Sequence, residues 1–275
     1  MILLSRQMPF SMNYYPVLRS EDLKAQVSLF NFPPIYYGQN RYRSSVNVYS
    51  VTSNGKFWKF RKQTYLKAGD FVIFKHSSGE LETTFYFMSC LEYPQQLDRL
   101  PIEQLKQHSL MGEVAWRSNL KLMSSLATTS YQGEYPPEML KIKNETLVSI
   151  CPLIQEEENV INRIYFINLK STPEIERKKI YLSNVITGQR LETITVFTNQ
   201  CTEIHVPQIN WNMHKQLYLH SDEIAGIPLY FTSNKNFSDF SLEHSQPPSE
   251  FHAFGDTDRS VLTKRMKQWW LSRHD

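Results

Sequence analysis

Turn-forming residues interrupt this chain about every 8 to 12 positions, and the runs between them are short and rich in Val, Ile, Tyr, Phe and Thr. Runs of this length and aromatic content do not carry the apolar stripe at every third or fourth residue that a helix buries, so they predict strands. In the first half, Val46, Val48 and Tyr49 lead into Asn54-Gly55, and Phe57, Trp58 and Phe60 lead out of it. Asn-Gly supplies the two positive-φ positions of a type I′ turn, which predicts a hairpin here. Further strands are expected over 71–74 and 83–91. After 147–154 the rhythm resumes over 160–169, 179–185, 191–197, 202–206, 216–220 and 228–232.

Gly55 is followed 16 and 18 residues later by Phe71 and Ile73, and Gly188 by Ile204 and Val206 at the same offsets. A strand enters and a strand leaves each glycine, so the correspondence points to an internal duplication, although any antiparallel meander gives similar spacings. The expected fold is therefore mainly β: two tandem Ig-like β-sandwich domains, a short connecting helix and a C-terminal amphipathic helix. Residues 1–117 form the first domain, 118–140 an interdomain segment, 141–254 the second domain and 255–275 the terminal helix. The likeness to immunoglobulin domains is one of strand rhythm only, without their Cys, Trp, Cys arrangement. The connecting helix is placed over 98–108, where Pro101 suits a first turn. The terminal helix carries Val261, Leu262, Met266, Trp269 and Trp270 at helical spacing.

Composition narrows the partners. With 275 residues, 41% hydrophobic, the chain is long enough to bury a large core. The 30 Lys+Arg against 27 Asp+Glu leave a net charge of +3, spread along the chain. Nucleic-acid binders concentrate their cations on one face, so specific nucleic-acid binding is not expected. Three cysteines, Cys90, Cys151 and Cys201, form no CxxC pair and lie in apolar stretches, which predicts buried, unreactive thiols in a reducing compartment. The first sixteen residues lack a secretory apolar core, and no window has the 18 or so apolar residues of a membrane helix. A cytoplasmic location follows as the expectation.

Three groups of residues could carry chemistry. The polar tract over 241–256 offers Glu243, His244, Glu250, His252 and Asp256. Imidazoles and carboxylates are ligands for zinc, iron or manganese, so Glu243, His244 and His252 are the metal candidates, and His244, His252 and Glu250 the catalytic ones. No HExxH spacing accompanies them, and the expected cofactor is none, with a divalent metal as the exception. His220, followed by Ser221-Asp222-Glu223, reads as an edge residue beside a turn. The third group is aromatic: Tyr14, Tyr15, Tyr36, Tyr37, Tyr131, Tyr135 and Trp211 lie in turn-like or Pro-flanked contexts. Exposed Tyr and Trp offer broad amphipathic contact area, which suits protein surfaces and sugar rings. Tyr131, Gln132, Glu134, Tyr135 and Trp211 are the expected binding residues.

Glycine-rich phosphate loops and the GxSxG nucleophile elbow are absent from the sequence. The reading favoured by the residues is a non-enzymatic binding or assembly protein that recognises a protein or saccharide through interdomain and strand-end loops. The alternative is an enzyme with a metal-assisted His/Glu site in the interdomain cleft. Oligomeric state is not legible at this level.

Overall fold

The computed structural model describes residues 14–31, 45–67, 69–77, 82–89, 91–101, 118–133, 135, 139–140, 145–151, 153, 159–184, 187–206 and 217–244. The chain divides into two compact units that interleave in sequence. Unit 1 takes Met1–Leu122, Ser130–Lys141 and Lys170–Glu174, and unit 2 takes Met123–Thr129, Ile142–Leu169 and Ile175–Asp275.

The strands of the first part are β1 (Tyr14–Pro16), β2 (Lys24–Phe30), β3 (Val46–Ser53), β4 (Trp58–Leu66), β5 (Phe71–His76), β6 (Phe85–Ser89), β7 (Gln96–Leu97), β8 (Asn119–Met123) and β9 (Thr128–Gln132). Those of the second part are β10 (Leu147–Cys151), β11 (Val160–Ile167), β12 (Arg177–Asn184), β13 (Arg190–Phe197), β14 (Cys201–His205), β15 (Leu217–Ser221), β16 (Ile227–Asn234) and β17 (Phe240–His244). They form four separate sheets, ordered β1-β6-β3-β4-β7, β5-β2-β8-β9, β10-β15-β12-β13 and β14-β11-β16-β17.

This corrects the expectation of two Ig-like β-sandwich domains with helices. Four discrete sheets of four or five strands are the sheet inventory of a four-bladed β-propeller. An immunoglobulin domain pairs its first two strands within one sheet of order ABED. Here β1 pairs with β6 and β10 with β15, while β2 and β11 belong to other sheets. Among the described residues there is no α-helix. The expected connecting helix is described only as far as Pro101, in irregular backbone, and the terminal helix over 255–275 lies outside the described residues. The segment 118–140, read as irregular, contains β8 and β9.

The sheet orders carry a repeat. With the two-residue β7 set aside, the strands of the first part are ordered 1-6-3-4 and 5-2-7-8, and those of the second part follow the same two orders. Local chemistry repeats with them. Asn54 opens the β3–β4 hairpin, its Oδ1 accepting from Phe57 N at 2.9 Å, and Asn184 opens the β12–β13 hairpin, its Oδ1 accepting from Thr187 N at 2.8 Å. Asn31 follows β2 and donates its N–H to Asp70 O at 2.9 Å. Asn168 follows β11 and donates its N–H to Gln200 O at 2.9 Å. In each case the acceptor precedes the strand paired with its own, so Phe71 corresponds to Cys201. The Gly55 and Gly188 spacings point to the same strands, three residues out of register.

The Asn54-Gly55 hairpin forms where expected, but its turn is not type I′. Gly55 has φ +83°, whereas Asn54 is not among the positive-φ residues. Its side chain caps the loop instead, and Asn54 N donates to Phe57 O at 3.3 Å. An Asx turn supplies the reversal that two left-handed residues would have supplied.

In unit 2 the two sheets share one core. Leu147, Ile180, Leu182, Val196, Leu217 and Leu219 come from one sheet and Ile164, Phe166, Ile204 and Tyr230 from the other. Each fully buried aliphatic side chain there contributes about 1.5–3 kcal/mol by leaving water. In unit 1 the two sheets meet where Phe74 on β5 stacks on Tyr86 of β6 at 4.2 Å, beside His76 Nε2 at 3.1 Å from the Tyr86 hydroxyl.

Candidate edge groove in unit 1

The sheet β1-β6-β3-β4-β7 buries side chains on both faces, and a bulge in β4 decides what emerges at its border. Val48 faces Thr64, but the next pair is Tyr49 with Lys62, which leaves Gln63 as the extra residue. Directly opposed residues of antiparallel strands share a face, so the bulge moves Lys62 onto the face of Tyr49, Val51 and Phe60. Without it, strict alternation from Leu66 would turn Lys62 toward the face of Val46 and Val48, both buried.

The face of Tyr49 and Phe60 is aromatic. Tyr14 stacks on Phe87 at 4.8 Å, and Phe87, Tyr49, Phe60 and Tyr93 form a continuous set with centroids 5.5–6.4 Å apart. Edge-to-face packing at such distances is favourable beyond the area buried. Hydrogen bonds to backbone carbonyls fix the cover: Tyr14 Oη donates to Pro101 O at 3.0 Å, Trp58 Nε1 to Ser171 O at 3.1 Å, and Ser53 Oγ to Pro173 O. Burial pushes the Tyr14 phenol well above its ordinary pKa, with a smaller contribution from Tyr93.

At the border of β4 a groove of about 530 Å³ opens. In its lining Tyr93 is half-buried while Tyr49 and Phe60 are buried, and Lys59, Arg61, Lys62, Glu92, Gln95 and Gln96 complete it. Short antiparallel pairing closes one end, Trp58 with Leu97 and Lys59 with Gln96, supported by Phe60 N donating to Gln95 O at 2.9 Å. Lys62 Nζ lies 3.0 Å from Glu92 Oε1 in an exposed ion pair, and this hydrogen bond holds the Lys62 ammonium pKa above its ordinary value. The lining therefore holds three cationic residues and one carboxylate, which Lys62 engages. Glu92 is the one carboxylate of the described lining.

The expected site residues fall elsewhere. Tyr131 is half-buried on β9, and its ring occupies the space a Cβ on Gly133 would need. Gln132 is the last residue of β9. Tyr135 is buried and bridges Tyr14, with Tyr135 N donating to Tyr14 O at 2.7 Å and Tyr14 N to Tyr135 O at 3.2 Å. Tyr14 and Tyr15, read as turn-like, are core residues of β1. Glu243 is exposed on β17 opposite Tyr230, and His244 ends that strand opposite Leu229. Glu134, Trp211, Glu250, His252 and Asp256 lie outside the described residues. Among the described residues no group of three or more His, Cys, Asp or Glu is placed to hold a metal.

His220 is not at an edge. Its strand β15 runs between β10 and β12, and Nε2 lies 2.9 Å from Ser183 Oγ, with the ring stacked 4.7 Å from Tyr218. The turn after it forms as read, with Glu223 N donating to Ser221 Oγ at 3.1 Å. Cys151 and Cys201 are buried free thiols. Burial pushes Cys151 up to about 12.

Sequence reasoning missed the groove. Its signal was Trp58-Lys59-Phe60-Arg61-Lys62, cations interleaved with rings immediately after the Asn-Gly hairpin. No family model, no curated protein and no solved structure matches this chain. No helix among the described residues is long and apolar enough to cross a membrane.

Proposed function

We propose that this chain is a non-enzymatic binding protein whose edge groove takes an anionic, polyhydroxylated ligand of the acidic-saccharide class. One observation carries the reading: the half-buried Tyr93 ring shares a lining with Lys59, Arg61 and Lys62 and the carboxamides of Gln95 and Gln96, with one carboxylate already paired. The Tyr93 ring can accept the apolar face of a sugar, carboxamides bond its hydroxyls in both directions, and guanidinium binds carboxylate or sulfate oxygens bidentately. A cytoplasmic location, expected from the cysteines, belongs to the same proposal.

The test is calorimetric titration of a uronic-acid or sulfated oligosaccharide into the wild-type chain and into Lys59→Ala/Arg61→Ala. Saturable binding that falls at least about tenfold in the variant, roughly 1.4 kcal/mol, supports the proposal. Binding unchanged in the variant, or no saccharide binding alongside capture of a protein partner through the same residues, overturns the ligand class.

A further inference from the structure

The repeat of strand order exposes one difference between its two halves. In the first, the outer edge of β4 receives β7, which pairs with Trp58 and Lys59. The corresponding strand in the second is β13, and among the described residues it pairs only with β12. Among the described residues nothing pairs with its outer edge over the tract Thr193-Ile194-Thr195-Val196-Phe197, which has no charge, glycine or proline. Natural edge strands are usually blunted by Lys, Pro or bulges, because an open row of N–H and C=O groups is a template for another strand. Here the bulge lies between Leu182 and Ser183, opposite the hairpin end of β13, and leaves the tract regular. Phe197 is 38% exposed at its end.

The tract is self-complementary in antiparallel pairing. With a two-fold axis at Thr195, Thr195 faces Thr195 of the second copy, Ile194 faces Val196 and Thr193 faces Phe197. Ile194 is packed against the core cluster that contains Val196, so this register extends one apolar face across the junction. On the other face it brings β-branched Thr193 against an exposed aromatic ring, and such cross-strand pairs are favourable. Arg190 and Glu192 lie beyond the paired tract, and the Arg190 guanidinium already sits 3.8 Å over the Tyr181 ring.

We propose that β13 is a homodimerisation edge: two copies of this chain join β13 to β13, antiparallel about Thr195, into one continuous sheet. The pairing supplies from a second copy what β7 supplies to β4 within the chain.

Light scattering on size-exclusion fractions of the full chain, over a wide dilution series, reads the assembly. The expected mass at high concentration is twice the 32.4 kDa of one chain, and Thr193→Lys abolishes the dimer while leaving circular dichroism and melting unchanged. Cysteine cross-linking reads the register. Under oxidation Thr195→Cys gives a disulfide-linked dimer, because directly opposed Cβ atoms are about 4.5–5.5 Å apart. Thr193→Cys gives none, because its copies stand four residues apart along the strands, about 13 Å at 3.3 Å per residue. A monomer throughout with no cross-linked Thr195→Cys overturns the proposal, as do equal cross-linking of both variants or a dimer that survives Thr193→Lys.

Discussion

Replacing Glu203 by Ala tests the energetic weight of a contact made by two strands of one sheet in unit 2. Arg163 on β11 and Glu203 on β14 are forty residues apart, yet Arg163 Nη1 lies 2.6 Å from Glu203 Oε1, with side chains only 3% and 11% exposed. The Tyr165 hydroxyl donates to the same carboxylate oxygen at 3.4 Å, and the Arg163 guanidinium lies 5.0 Å from the centroid of the Phe237 ring. Removing one partner of so buried a pair takes the Glu203 counter-charge from the buried Arg163 guanidinium, at a cost of about 3–5 kcal/mol. For a body of this size that corresponds to a fall in Tm on the order of 10 °C. Replacing both partners together, Arg163→Met with Glu203→Leu, removes the buried charge and is expected to recover most of the loss. Chemical denaturation of wild type, both single variants and the double variant closes the cycle. A Glu203→Ala loss below about 1 kcal/mol, the range of exposed pairs, would refute the reasoning, as would a double variant less stable than either single one.

Two further outcomes follow from packing and burial. Gly226→Ala places a Cβ 2.5 Å from Phe166 Cζ and 2.6 Å from the Ile167 carbonyl oxygen, in a core that cannot give way at the backbone. A loss of about 1–3 kcal/mol in denaturant unfolding is expected, and an unchanged midpoint contradicts the close approach. The Cys151 thiol is held at about 12 by burial against an ordinary 9.0. Its contribution to stability is whole below pH 9 and is lost as pH rises toward 12, because the unfolded chain releases this proton first. Stability measured through that window should fall less steeply in Cys151→Ala, and parallel curves for the two proteins count against it.

Much of the strand content was legible before the structure, because alternation and turn chemistry are local. The Asn54-Gly55 reversal lies where the sequence puts it, and only its turn type differs, since Asn54 prefers to cap the loop with its own side chain. Tyr135 shows the opposite case. Its neighbours Pro136 and Pro137 read as surface loop, yet a backbone bridge to Tyr14, more than a hundred residues earlier, draws it into the core. Lys62 shows why the groove was hidden: its face is decided by a bulge at Gln63, and no periodicity announces a single inserted residue.

By itself the sequence determined that the chain forms short strands, that its cysteines sit in apolar surroundings, and that a motif of strand, glycine and strand recurs. These properties depend on neighbours a few residues away. Tertiary packing chose β6 as the partner of β1 and β15 as that of β10, gave the four sheets their propeller orders in place of the expected Ig-like ones, and, among the described residues, covered the border of β4 but not that of β13. Backbone hydrogen bonds can join any two strands with equal ease. The choice of partner therefore rests on which faces bury together, and that property belongs to the folded whole.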